Sequence, residues 1–96
     1  MKTKDETIEI LKKHKKEISE RFAVLSLGLF GSYARGAASS ASDVDILVEF
    51  DEPTFDHYMD LKFYLEKLLG SEVDLVLADS IKPRLKPYVE KDMIYA

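Results

Sequence analysis

Three aspartates and one glycine-serine pair carry most of the chemistry open to this sequence. Asp43 and Asp45 stand two apart, just ahead of Ile46-Leu47-Val48. In an extended chain, residues so spaced project to the same side, about 6–7 Å apart. Both carboxylates then aim at one point while Val44, Ile46 and Val48 turn to the core. Like charges held this way repel, which raises a carboxyl pKa or weakens the strand unless a cation sits between them. Hard oxygen ligands on a rigid strand suit Mg²⁺, which keeps its remaining positions for water and phosphate. Asp74 interrupts another apolar run, Glu72-Val73-Asp74-Leu75-Val76-Leu77, where a carboxylate buried without a partner is costly. Gly31-Ser32 is the complement: between a strand and a helical turn, its backbone N–H groups and hydroxyl can meet an anion with no Cβ in the way. Each feature alone has a plainer reading, as a strand-edge or turn aspartate, a polar strand end, or a simple turn. Together they describe a two-metal phosphate-transfer site.

The elements that must position these groups follow from periodicity. Ile8, Leu11, Ile18 and Phe22 form a helical stripe, and Thr3 with Glu6 fits a capping box, so a helix is expected from about residue 4 to 21. Leu25, Leu27 and Leu29 alternate with Val24, Ser26 and Gly28 in a strand that ends near Phe30, with the leucines on its buried face. Ser32 to Arg35 makes one helical turn that Gly36 stops, and Ala37 to Ser42 is a loop of small residues. A second strand spans Val44 to Phe50. Phe55, Tyr58, Met59, Leu61, Phe63, Leu65, Leu68 and Leu69 then form a broad helical face closed by Gly70. A third strand runs from Glu72 to Ala78, and a short helical stretch after Ser80 and Pro83 covers the sheet with Leu85, Tyr88, Val89 and Met93. The expectation is an α/β chain, residues 1–96 as one domain, with a small mixed three-stranded sheet and about four flanking helices.

Charge and composition narrow the function classes. Fourteen Lys and Arg against eighteen Asp and Glu leave a net charge of −4. That balance disfavours non-specific nucleic-acid binding but allows one metal-bridged nucleotide. The absence of cysteine excludes disulfides, zinc–thiolate sites and thiol nucleophiles, and suits a cytoplasmic setting. No apolar run is long enough to cross a bilayer, so no membrane role is expected. His14 and His57 lack ligand or triad spacing. The Lys12-Lys13-His14-Lys15-Lys16 run reads as a solvated helix face, because Glu9, Glu17 and Glu20 interleave with it. Lys82, Arg84 and Lys86 form a small basic set facing either a partner or a phosphate chain.

Gly31-Ser32-Tyr33-Ala34-Arg35-Gly36, six small residues, and then Asp43-Val44-Asp45-Ile46-Leu47-Val48 resemble the G-S-x-A-R-G…S-D-x-D-[LI] signature of the nucleotidyltransferase superfamily related to DNA polymerase beta. In length the chain is similar to its minimal members, the MNT-domain proteins that pair with HEPN-domain toxins. Val73-Asp74-Leu75-Val76 resembles the third-carboxylate strand and Ile81-Lys82-Pro83-Arg84-Leu85 the closing segment. Tyr33 stands at a variable site, and the stretch from Ala37 to Ala41 lacks the charged or proline residues often seen there.

The resemblance implies that Gly31 lets the backbone approach the β and γ phosphates and that Ser32 bonds them. It implies that Asp43 and Asp45 hold two Mg²⁺ ions, and that Asp74 completes the second site and helps take the acceptor proton. Arg35 is placed either to reach the triphosphate or to tie its short helix to the strand carrying Asp43. The expected activity is transfer of AMP from ATP to a tyrosine hydroxyl of a cognate HEPN RNase toxin, which silences it. One alternative is an antitoxin that neutralises by binding alone. Another is a small-molecule nucleotidyltransferase whose acceptor pocket comes from a second subunit of a homo-oligomer.

Overall fold

In the computed structural model, residues 3–37 and 43–96 are described. Residues 38–42, most of the segment expected as a loop, lie outside the described residues.

Helix α1 spans Lys4–Phe22. Its start is the expected capping box: the Thr3 hydroxyl accepts from the Glu6 N–H at 3.2 Å, and the Glu6 carboxylate accepts from the Thr3 N–H at 3.1 Å. Strand β1 (Val24–Phe30) leads directly into the one-turn helix α2 (Gly31–Ala34). Strand β2 (Val44–Phe50), helix α3 (Phe55–Leu69) and strand β3 (Val73–Leu77) follow as a crossover unit with β2 and β3 parallel. Two 3₁₀ turns, Ala78–Ser80 and Pro83–Leu85, precede helix α4 (Lys86–Lys91) and strand β4 (Ile94–Tyr95).

The sheet is mixed, in the order β3-β2-β1-β4, with β1 antiparallel to both of its neighbours. It therefore has four strands rather than the expected three. The extra strand is two residues long, too short to show alternation in the sequence.

One face of the sheet carries the core. Leu27, Leu29, Val44, Ile46, Val48, Val73 and Leu75 are buried together with Leu11 and Ile18 of α1 and Leu61 and Leu65 of α3. Tyr64 ties the two helices by donating its hydroxyl hydrogen to Glu17 Oε2 at 2.8 Å. The other face is covered only in part, by the chain after β3.

Three packing expectations need correction. A register shift between Val24 and Ser26 inserts a bulge that changes the phase of β1. Val24 is buried, and Leu25 is 58% exposed while Leu27 is 1% exposed. Phe55 and Phe63 lie outside the buried face of α3, which consists of Leu61, Leu65 and Leu69. Leu85 and Tyr88 are exposed rather than closed over the sheet.

Strand β3 is an edge strand, yet part of its outer backbone is met. The Val44 N–H donates to the Glu72 carbonyl at 2.9 Å, so residues 72, 74 and 76 direct their backbone groups at β2, while those of Val73 and Leu75 face outward. Helix α3 meets them: the Val73 N–H donates to Glu66 Oε2 at 3.1 Å, and the Tyr58 hydroxyl donates to the Leu75 carbonyl at 2.6 Å. These bonds blunt the edge and fix the strand that carries Asp74.

Candidate active site

Alternation along β2 turns Val44, Ile46 and Val48 into the core and leaves Asp45 on the partly covered face. Parallel pairing sets Asp74 directly opposite Asp45. Directly paired residues on neighbouring strands project to the same face, so the two carboxylates are cross-strand neighbours. On the other side of β2, Asp45 is paired with Phe30, the last residue of β1. Asp43 is exposed immediately before β2. Chain segments far apart in sequence thus bring Asp43, Asp45 and Asp74 to one end of the sheet.

The Asp45 carboxyl records this crowding. Its partial burial pushes its pKa above the usual carboxylate range, and the charges of Asp74 and then Asp43 push it further. A hydrogen bond with Asp74 acts in the same direction, and the Arg35 guanidinium opposes them.

Gly31 completes the corner. Its φ is +71°, a left-handed conformation, and a Cβ there would collide with Asp45 Oδ2. The backbone of α2 therefore begins against the central carboxylate, as close as a residue without a side chain allows. Ser32 follows, half-buried, and Tyr33 and Ala34 anchor the turn in the core. Arg35 is exposed, and its Nη1 lies 3.6 Å from Asp92 Oδ2, beyond the end of α4. This partner was not foreseen from the sequence: Asp92 sits near the C-terminal end with no motif to mark it. Arg35 thereby joins α2 to the C-terminal segment, with its charge still felt at Asp45.

The expected basic set divides. Lys82 and Arg84 line a groove of about 370 Å³ with Phe30, Asp74, Val76, Leu85 and Val89. Lys86 lines a separate pocket with Glu49, Asp79 and Glu90. His14 and His57 each direct Nδ1 at a backbone carbonyl, those of Ile10 and Glu52, away from the aspartates.

Among the described residues, no three His, Cys, Asp or Glu side chains already close on a common cation position. The donor set nevertheless suits a hard divalent cation: oxygen ligands only, mutually repelling, beside a glycine that keeps side-chain atoms out of the corner. Such an arrangement can hold a metal-bound phosphate chain against free backbone N–H groups.

Comparison with known proteins identifies the family. The nucleotidyltransferase domain family matches residues 11–96. The protein adenylyltransferase MntA of Thermococcus cleftensis is 48% identical over 96 residues, covering 99% of this chain and 97% of that one. A solved minimal nucleotidyltransferase superposes with a TM-score of 0.74 at 36% identity, covering 91% of this chain and 93% of the other. A toxin–antitoxin structure with AMP-PNP superposes with a TM-score of 0.67 at 26% identity, covering 96% of this chain and 70% of that one. The chain belongs to the nucleotidyltransferase domain family, as an enzyme of its minimal-length branch.

Proposed function

We propose that this chain is an antitoxin that transfers AMP from ATP to a tyrosine hydroxyl of a partner HEPN-domain toxin. The observation that carries the reading is the register pairing of Asp45 with Asp74 beside Gly31. The related enzyme's name, protein adenylyltransferase, supports AMP and a protein acceptor. The likeness to a toxin–antitoxin structure with AMP-PNP supports both an adenine nucleotide and a toxin partner. We place the reaction in the cytoplasm, where ATP is supplied and a chain without cysteine loses nothing to a reducing milieu.

Gly31 and Ser32 hold the β and γ phosphates with backbone N–H groups and the Ser32 hydroxyl. Asp43 and Asp45 would hold two Mg²⁺ ions, with Asp74 completing the second site. Bound there, the metal supplies positive charge to the oxygens that gain charge in the transition state. The acceptor oxygen bonds to the α-phosphorus, the bond from that phosphorus to the bridging oxygen breaks, and pyrophosphate leaves. Asp74, at the acceptor side, takes the hydroxyl proton. Arg35, held by Asp92, offsets part of the negative charge around Asp45.

Intact-mass spectrometry of the HEPN-domain protein, co-expressed with this chain, tests the reading. The expected result is a mass increment of one or more AMP groups, absent with Asp43→Asn plus Asp45→Asn. An unmodified partner, in the presence of a chain that binds ATP, would refute transfer. A folded double variant that still neutralises the toxin would assign neutralisation to binding alone.

A further inference from the structure

Phe30, Asp45 and Asp74 form a row across β1, β2 and β3 on the partly covered face of the sheet. The glycine turn lies at the β1 end of this row and Asp74 at the β3 end. Along this row, from Phe30 to Asp74, runs a groove also lined by Lys82 and Arg84, with Phe30, Val76, Ile81, Leu85 and Val89 as its apolar wall. Asp74 is the only acid among the described residues that line it. Two exposed cations with no other acid in the lining stand out on a chain of net charge −4. A surface of that kind attracts a segment carrying negative charge and excludes a positive one.

Direction follows from the chemistry. In an in-line displacement, the attacking and leaving oxygens lie on opposite sides of the phosphorus. With pyrophosphate held at the β1 end, the acceptor hydroxyl must arrive from the β3 end, where Asp74 lines this groove.

We propose that the groove receives the acceptor segment: an extended stretch of the partner protein that lays apolar side chains on Phe30, Val76 and Leu85 and sets acidic side chains against Lys82 and Arg84. The proposal rests on the protein-acceptor reading above and adds the sequence character of the acceptor. Occupation of the same groove by the nucleotide is the competing outcome.

The test uses Lys82→Glu with Arg84→Glu in the full chain, its fold checked by circular dichroism. The probes are labelled ATP with Mg²⁺, the HEPN-domain protein, and two synthetic tyrosine peptides, one flanked by Asp and Glu and one by Lys. Wild type is expected to label the partner and to prefer the acidic peptide. The double variant should raise KM for the partner about tenfold or more and reverse the peptide preference. Its KM for ATP should change by less than about twofold. Added salt should raise the wild-type KM for the partner and leave that of the variant nearly unchanged, which a structural role would not produce. A parallel rise in KM for ATP would give the groove to the nucleotide and overturn the proposal. So would an unchanged KM for the partner, or wild-type indifference to peptide charge. A wild-type chain that leaves the HEPN-domain protein unlabelled would instead defeat the underlying protein-acceptor reading.

Discussion

Asp45 is the residue on which folding and chemistry disagree. Burial and two neighbouring carboxylates raise its pKa in the folded chain, so the native state binds that proton more tightly than the unfolded chain does. Its effect on stability is therefore favourable below the raised pKa and turns unfavourable as pH rises through it. Asp45→Asn is expected to raise the melting temperature at neutral pH in EDTA and to flatten the dependence of stability on pH just above the ordinary carboxylate range. The same variant should lose any increase in melting temperature that Mg²⁺ gives the wild type. Thermal melts across pH, with and without Mg²⁺, check both signs.

Two glycines provide a paired experiment at the same scale. Gly31 and Gly36 share a φ of +71°, but a Cβ at Gly31 collides with Asp45 whereas one at Gly36 meets nothing within 4 Å among the described residues. Each change to Ala should cost about 1–2 kcal/mol for the left-handed backbone. Only Gly31→Ala should also weaken ATP binding, as titration with a non-hydrolysable analogue would show. Equal binding losses would mean that Gly31 serves the turn and not the nucleotide. The placement of Asp45 beside Gly31 and just after Asp43 was largely readable from the sequence, because residue type and two-residue spacing suffice for it. The Arg35–Asp92 pair was not, since it depends on where the C-terminal segment returns.

At the scale of elements, the strengths and failures of sequence reading have separate physical causes. The start of α1 was legible because a capping box is local, needing only Thr3 and Glu6. The phase of β1 was not, because a bulge is a property of two paired strands and leaves the alternation of leucines intact in the sequence. Leu25→Ala should therefore change stability by less than about 0.5 kcal/mol, while Leu27→Ala should cost about 2–5 kcal/mol in urea unfolding. Similar costs for both would restore the unbulged phase. The placement of Asp74 belongs here too. Its strand was evident from the apolar run, but which strand it adjoins depends on the crossover through α3 and on the bonds by which Tyr58 and Glu66 hold the edge.

For the whole molecule, the division between the two faces of the sheet explains how so short a chain can hold both a core and a site. Helices α1 and α3 bury one face, and the radius of gyration is 12.4 Å. The other face, thinly covered by the chain after β3, carries the aspartate row and the groove. That coverage was poorly legible because Leu85 and Tyr88, apolar and at helical spacing, suggested burial, whereas the molecule leaves them exposed. Exposed apolar residues near the partly covered face fit the proposed reaction, whose second substrate is another protein.

The convergence of the aspartates on divalent ions is tested most directly by crystallising the chain with Mn²⁺ and a non-hydrolysable ATP analogue and locating the metal by anomalous scattering. Expected are Mn²⁺ peaks among the carboxylates of Asp43, Asp45 and Asp74, with the phosphate chain against the N–H groups at Gly31 and Ser32. Mn²⁺ bound away from that trio, or phosphates lying elsewhere on the sheet, would contradict it.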